Sequence, residues 1–173
     1  GVIGGSLIRG KLRVGDRIEL RPGIKVGEKE DARYVPLKLT VESLNAGAGN
    51  LKEAVPGGLV AIGTKLDPSL TKSDGLVGNL VGAEGSLPPA VSDLQMELTL
   101  LQRPEFENPP LKQNEPLVLG VGTATTVGFV EKTKKSAVHL KLKRPICVDK
   151  EAKIAVSRRI GQRWRLSGYG IVK

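Results

Sequence analysis

The amino-acid sequence predicts an all-β protein built from two small β-barrels in tandem, and three observations lead to this prediction. Glycine and proline are abundant, with 22 and 11 residues among 173, which is typical of many short strands joined by turns. Apolar and polar residues alternate over short stretches, as they do in half-buried strands. No window of twelve residues shows the apolar stripe of an amphipathic helix.

The first predicted barrel covers residues 1–88 and consists of strands separated by glycine-rich turns. Ile18 and Leu20 alternate with charged residues, and Pro22-Gly23 is expected to end that strand in a turn. Residues 24–35 are polar and mixed, and they are predicted to form a long exposed loop of the kind that carries partner contacts. Further strands are predicted at residues 37–42, 59–62 and 76–82.

The second predicted barrel covers residues 89–173, and Leu87-Pro88-Pro89 ends the unit before it. Its first strand places Leu94, Met96, Leu98 and Leu100 in the core, because they alternate strictly with polar residues. A loop with four prolines is predicted at residues 102–116. The remaining strands are predicted at residues 117–121, 126–131, 138–142 and 154–157 and in the closing segment.

The closing segment, residues 157–173, combines apolar residues with arginines. Strand alternation predicts that Trp164 and Leu166 point into the barrel core, while Arg163 and Arg165 point to solvent. Tyr169 is assigned to the arginine side and is the aromatic residue best placed to contact a ligand of that surface. Arg158 and Arg159 are expected on or beside the same cationic surface.

Positive charge is concentrated in the second half of the chain. Residues 1–88 carry 12 Lys and Arg against 10 Asp and Glu, whereas residues 89–173 carry 15 against 8. From residue 132 to the end, 13 basic residues face only two acidic ones. Such a surface suits phosphate backbones, which dominate the affinity of proteins for nucleic acids. The five aromatic residues are scattered, so we expect shape and phosphate recognition rather than base stacking.

Residues 5–12 nearly match a phosphate-binding P-loop, but we reject a nucleotide site there. Leu12 stands where a Ser or Thr would ligate magnesium, and a strand follows where the motif requires a helix. Cys147 and His139 are single, and they are predicted to be a buried thiol and an exposed strand residue. We therefore expect no catalytic residues, no bound metal and no enzymatic activity in this chain.

No stretch has the length of a membrane helix, and the first residues lack the pattern of a signal peptide. The sequence is therefore expected to be soluble and cytoplasmic, without a membrane partner.

Four blocks of the sequence resemble a known family, the gamma subunit of archaeal and eukaryotic translation initiation factor 2. The blocks are G-V-I-G-G-S-L-I-R-G-K-L-R-V-G-D-R-I-E-L-R-P-G, A-V-P-G-G-L-V-A-I-G-T-K-L-D-P-S-L-T-K-S-D, V-G-T-A-T-T-V-G-F-V and S-R-R-I-G-Q-R-W-R-L-S-G-Y-G-I-V-K. They are similar to domains II and III of that subunit, which are both β-barrels, and the archaeal form is the closer match.

The resemblance implies a set of partners. These are methionyl initiator tRNA, ribosomal RNA of the small subunit, and the alpha subunit of the same factor. The beta subunit is expected to attach only through a GTP-binding domain that precedes these barrels in the family. GTP and magnesium are expected in that domain, and no cofactor is expected in this chain.

The resemblance also implies three groups of site residues. The acceptor end of the tRNA is expected at Gly57, Gly58, Gly63, Thr64 and Lys65. The alpha subunit is expected at Glu28, Lys29, Arg33 and Tyr34. RNA backbone contacts are expected at Arg158, Arg159, Arg163, Arg165 and Tyr169.

The sequence leaves open whether the first barrel is closed and which of several functions the chain has. The resemblance implies that this sequence begins after the first strand of domain II, which leaves the closure of that barrel in doubt. Two alternative functions also remain: a protein scaffold that docks the alpha subunit with little RNA contact, and the barrels of an elongation-factor-like carrier of tRNA.

Overall fold

The computed structural model describes residues 1–28, 32–47 and 49–173 and divides the chain into two compact units, Gly1–Leu87 and Pro88–Lys173. Within those residues the regular elements are β-strands, apart from a short 3-10 helix at Pro68–Thr71. The predicted all-β fold class is therefore confirmed. In this described part of the chain, no helix has the length and apolar character that crossing a bilayer requires.

The first unit contains three small antiparallel sheets. Its strands are β1 (Val2–Ser6), β2 (Leu12–Arg13), β3 (Arg17–Val26), β4 (Arg33–Thr40), β5 (Ser43–Ala46), β6 (Gly49–Leu51), β7 (Glu53–Ala54), β8 (Leu59–Gly63) and β9 (Leu80–Ala83). The sheets have the orders β1-β8-β5-β6, β4-β3-β9 and β2-β7. Side chains from all three sheets, among them Ile3, Ile18 and Ala54, meet in one buried core. Short sheets wrapped around one core are the architecture of a small barrel.

Two sequence predictions for this unit are wrong in detail. Strand β3 does not end at Pro22-Gly23 but continues to Val26, with a shift of register between Leu20 and Ile24. The predicted exposed loop at residues 24–35 is instead largely the end of a β3–β4 hairpin, in which Ile24 pairs with Val35. The pairing satisfies backbone hydrogen bonds that a polar composition does not reveal.

Glu19 is a buried carboxylate in the first unit, only 2% exposed. Arg21 Nε donates a hydrogen bond to Glu19 Oε1 at 2.7 Å, and the Gly85 backbone N–H donates to Oε2 at 3.1 Å. The hydrogen bond from Arg21, followed by that from Gly85, lowers the pKa of Glu19 below its ordinary value. The charged form is therefore the one that the fold stabilises.

We expect the stability that Glu19 contributes to be complete above the carboxyl pKa of the unfolded chain, about 4.3. It should be lost as pH falls through the lower pKa of the folded state, because the unfolded chain then binds more protons. Urea unfolding of the chain and of Glu19→Gln between pH 7 and pH 3 checks this. The variant should be less stable at pH 7 and should lose less stability on acidification. Parallel curves for the two proteins would contradict the assignment.

The second unit is a closed antiparallel barrel. Its strands are β10 (Ala90–Leu100), β11 (Pro116–Val121), β12 (Ala124–Lys134), β13 (Ala137–Cys147), β14 (Lys153–Ile160) and β15 (Arg163–Val172). They are arranged in the order β10-β13-β12-β11-β14-β15, and β15 pairs with β10 to close the barrel. Leu94, Met96 and Leu98 are buried as predicted, and Cys147 is also buried.

Strand β15 contains an extra residue that changes its side-chain phase. Val156 pairs with Gly168 but Ser157 pairs with Leu166, so Ser167 is unmatched on β15. Ser167 is fully buried, and its carbonyl accepts hydrogen bonds from the Leu101 N–H at 2.8 Å and from Asn108 Nδ2 at 2.7 Å. A bulge of this kind reverses which face the residues beyond it occupy. It therefore decides where the arginines and Trp164 lie.

Candidate nucleic-acid interface

The end of the β14–β15 hairpin, residues 157–166, presents one open face. Arg159 lies opposite Trp164, and Ser157 lies opposite Leu166, so these side chains share one side of the ribbon. Trp164 and Leu166 are each 46% exposed, and Arg159 is also exposed. We call Arg159, Trp164 and Leu166 the Trp164 face. Arg163 is exposed next to the Gly161-Gln162 turn, but it pairs with Ile160 and so lies on the opposite side of the ribbon from the Trp164 face.

The prediction that Trp164 and Leu166 lie in the barrel core is therefore wrong. The prediction assumed that side chains alternate strictly along the whole of β15. The bulge at Ser167 interrupts this alternation. The core-facing residues of this strand are Gly168, Gly170 and Val172, which are buried. The glycine at position 168 was the available sequence signal, because a glycine within a strand often marks a bulge.

Arg158 does not face solvent as the sequence predicted, since it is only 5% exposed. Its Nε donates to Glu115 Oε1 at 2.6 Å and its Nη2 to Glu115 Oε2 at 3.0 Å, a bidentate ion pair. Its Nη1 donates to Asn108 Oδ1 at 2.9 Å and to the carbonyl of Pro109. Arg158 thus fastens the loop between β10 and β11 to the hairpin.

Arg165 lies on the same side of the hairpin as Arg158, with which it pairs. Its guanidinium carbon is 5.8 Å from the centroid of the Phe106 ring, a cation–π distance. The loop that carries Phe106 and Asn108 therefore packs against this side of the hairpin. Arg165 remains exposed, but the Trp164 face on the opposite side is the more open surface.

Tyr169 does not lie on the arginine side as predicted, because the bulge at Ser167 separates its phase from that of Arg163 and Arg165. It is half-buried, and Lys153 Nζ lies 4.0 Å from the centroid of its ring. The ammonium group covers the ring and makes the surroundings of Tyr169 cationic. The sequence reasoning missed Lys153 because it lies on the neighbouring strand β14.

A second basic surface occurs at the β12–β13 hairpin, which sequence analysis counted in the total charge but did not assign as a site. Lys132, Lys134 and Lys135 are all exposed there. Within residues 1–28, 32–47 and 49–173, none of the three forms an ion pair with a carboxylate. Unpaired ammonium groups on a short hairpin are suited to contacting phosphates.

The structure also brings together Asp93, Glu131 and His139, with ligand-type atoms all within 4.8 Å of one another. His139 Nδ1 lies 3.0 Å from Glu131 Oε2, and Lys141 Nζ lies 3.1 Å from Asp93 Oδ2. His139 is a partly exposed strand residue, close to what the sequence predicted. The side chains of the cluster are 29–53% exposed and already have partners among themselves and with Lys141.

The five residues predicted to contact the tRNA acceptor end lie at both ends of strand β8. Gly57 and Gly58 precede the strand with φ of 132° and 98°, and an added Cβ at either would meet no atom within 4 Å. Gly63 ends the strand and is followed by Thr64 and Lys65. The rise of a strand separates the two groups by roughly 17 Å. The structure therefore does not bring the five into one compact patch.

Two of these residues already have contacts within the first unit. Thr64 Oγ1 donates to the Gly1 carbonyl at 2.8 Å, which ties β1 to the end of β8. Lys65 Nζ is 3.7 Å from Glu42 Oε1, but its side chain is 86% exposed. Such an exposed ion pair is weak, so the ammonium group remains available to an anion.

The residues predicted to dock the alpha subunit lie around the end of the β3–β4 hairpin. Glu28 is exposed just beyond β3, and Arg33 and Tyr34 begin β4 opposite Val26 and Lys25. Lys29 lies outside the described residues. Val26 is 43% exposed, so the hairpin end offers apolar as well as charged side chains.

Two family models match the chain, one for each unit. The model described as Elongation factor Tu domain 2 matches residues 1–78. The model described as Initiation factor eIF2 gamma, C terminal, matches residues 92–172. Both units are thus similar to β-barrel domains of translation factors.

Curated relatives named translation initiation factor 2 subunit gamma match the whole chain or nearly all of it. The Archaeoglobus fulgidus protein is 51% identical over 178 aligned positions, covering 100% of this chain and 41% of the relative. The Pyrococcus furiosus protein is 49% identical, covering 100% and 43%. The Methanococcus maripaludis protein is 49% identical, covering 99% and 43%. The chain therefore spans about two-fifths of the length of these relatives.

Proposed function

Because this chain belongs to the family of translation initiation factor 2 gamma subunits, we propose that its two barrels help to bind methionyl initiator tRNA, deliver it to the small ribosomal subunit and dock the alpha subunit. The single observation that carries the RNA part is the β14–β15 hairpin, where Arg159 and Arg163 are exposed. Across the described residues, no carboxylate forms an ion pair with either of them.

The charge of the second unit supports RNA as the ligand. Its exposed cations include Lys132, Lys134 and Lys135 of the β12–β13 hairpin and Arg159, Arg163 and Arg165 of the β14–β15 hairpin. An RNA strand releases condensed counterions when such groups neutralise its phosphates, which favours binding at low salt. We assign these contacts to positioning, since phosphate contacts do not by themselves distinguish one RNA from another.

The first unit is proposed to supply the more specific contacts. The open backbone at Gly57-Gly58 leaves space for close approach of a ligand. At the end of the β3–β4 hairpin, Glu28 and Arg33 provide charges for a protein partner, the alpha subunit. GTP and magnesium binding, and contact with the beta subunit, are assigned to the part of the relatives that this chain does not match.

The test is a titration of initiator and elongator aminoacyl-tRNAs by the chain at several salt concentrations, with and without purified alpha subunit. We expect the binding constant to fall steeply as salt rises from about 50 to 200 mM, because phosphates are neutralised. Replacing Arg159 and Arg163 together with alanine should make the salt dependence shallower by about two units of slope.

The matched control is Arg17→Ala, an exposed arginine of the first unit that already pairs with Glu84 at 2.9 Å. It should leave RNA affinity and its salt dependence unchanged. Affinity that does not respond to salt would contradict the RNA function. If the Arg159 and Arg163 changes have no effect while Glu28→Ala and Arg33→Ala abolish capture of the alpha subunit, the chain is a docking scaffold instead.

A further inference from the structure

We propose that the Trp164 face binds an unpaired RNA base, which stacks on the indole of Trp164 while Arg159 contacts an adjacent phosphate. This inference deepens the RNA-binding function proposed above and rests on it. It gives Trp164 a role in base stacking, which the sequence analysis did not expect because the aromatic residues are scattered. It also implies that the preferred ligand is single-stranded RNA.

Two large apolar side chains of the Trp164 face are open to solvent. Trp164 and Leu166 are each 46% exposed, although both belong to residue types that are usually well buried. The cause is the bulge at Ser167, which turns Trp164 and Leu166 outward while Gly168 and Gly170 fill the core positions. The same strand could have buried the indole without the bulge. The fold thus presents an aromatic face to solvent.

The hairpin that carries the Trp164 face is held in place from its opposite side. The opposite side of the hairpin is held by the ion pair of Arg158 with Glu115 and by the hydrogen bonds of Ser167. Arg158 is 5% exposed and Ser167 is fully buried, so these contacts are shielded from water. A ligand that stacks on Trp164 therefore meets a platform already in place, which reduces the entropy lost on binding.

The positive charge of Arg159 indicates which ligand fits the Trp164 face. Arg159 pairs directly with Trp164 across the two strands, so a guanidinium and an indole lie side by side. In the described part of the chain, no carboxylate forms an ion pair with Arg159. An aromatic surface beside an unpaired guanidinium matches a nucleotide, which combines a π-face with a phosphate.

Strandedness follows from base accessibility. The flat faces of bases in a duplex are covered by their neighbours, whereas single strands and loops can splay a base onto an aromatic side chain. Stacking of this kind tolerates any base, because each has a π-face. The Trp164 face should therefore prefer an unpaired strand over a duplex without selecting its sequence.

Trp164 is the only tryptophan of the chain, so its fluorescence reports this site directly. We expect a ten-nucleotide single-stranded RNA to quench the emission of the 173-residue chain, and a ten-base-pair RNA duplex to leave it nearly unchanged. Anisotropy of a labelled single strand measures affinity for the variants. Trp164→Leu should weaken binding about tenfold, since one base–aromatic stack is lost. Trp164→Phe should keep most of the affinity, and circular dichroism confirms that both variants fold.

The outcomes separate this inference from the function on which it rests. Equal affinity of Trp164→Leu and the parent chain, with binding still steeply dependent on salt, would overturn stacking and leave the phosphate-binding function intact. Equal quenching by the duplex would also overturn it. Absence of any salt-dependent RNA binding would defeat the proposed function itself. Emission that responds to the purified alpha subunit and not to RNA would make the Trp164 face a protein-docking surface.

Discussion

Gly23→Ala is expected to destabilise the first unit by about 3 kcal/mol or more, the sum of backbone strain and overpacking. Gly23 has φ of 94°, in the left-handed region that favours glycine. A Cβ there would overlap the Val35 carbonyl and lie 2.8 Å from Pro36 Cα. Both neighbours are backbone of strand β4, so relief would require the strands to separate.

The hydrogen bond from the Gly23 N–H to Asn79 Oδ1, 2.7 Å long, would be strained by the same movement. Thermal unfolding followed by circular dichroism should show the first unit melting more than 10 °C lower, since 1 kcal/mol corresponds to about 4–8 °C in a domain of this size. Trp164 emission, which reports the second unit, should give an unchanged midpoint.

Gly15→Ala is the matched control for Gly23→Ala. Gly15 has the same φ of 94°, but an added Cβ would meet no atom within 4 Å. Its cost should be limited to backbone strain, about 1–2 kcal/mol. The difference between the two variants isolates the overlap with β4. Equal midpoints for the two would show that steric overlap contributes nothing.

Arg158→Ala is expected to destabilise the second unit by about 3–5 kcal/mol, the usual effect of removing one partner from a buried ion pair. The side chains of Arg158 and Glu115 are 6% and 17% exposed, so Glu115 would keep a poorly hydrated charge. Asn108 and the Pro109 carbonyl would lose their shared donor as well. Urea unfolding followed by Trp164 emission measures the effect.

Two variants serve as controls for Arg158. Arg163→Ala removes an exposed arginine of the same hairpin and should change stability by no more than about 0.5 kcal/mol. Arg158→Lys should give an intermediate loss, because an ammonium group cannot reproduce the bidentate geometry to Glu115. If Arg158→Ala and Arg163→Ala unfold at the same urea concentration, the buried ion pair is not a source of stability.

Much of the barrel pattern could be predicted because strand periodicity is local. The alternation of Leu94, Met96 and Leu98 correctly assigned the core of β10. The same reasoning failed for Trp164 and Leu166, because one unmatched residue, Ser167, reverses the phase of everything beyond it. The β3–β4 hairpin was missed for a related reason, since β3 continues beyond Pro22-Gly23 after a shift of register that local alternation does not reveal.

The candidate sites, too, were only partly predictable from the sequence. Sequence charge correctly indicated a cationic second unit, and the exposed Arg159 and Arg163 belong to it. The sequence could not show that Arg158 forms a buried ion pair with Glu115, a residue 43 positions earlier in the chain. The assigned acceptor-end and alpha-subunit residues stay predictions, and the structure adds that the former lie at opposite ends of β8.

The sequence by itself determined the all-β class, the predominance of positive charge in the second half and, through its resemblance to gamma subunits, the family. These properties depend on composition, local periodicity and ordered blocks of residues, which are all readable along the chain. Only the tertiary structure decided which arginines are exposed and without a carboxylate partner among the described residues, and that Trp164 faces solvent. Those outcomes depend on strand register and on long-range pairing, where a single bulge or a distant carboxylate changes the role of a residue.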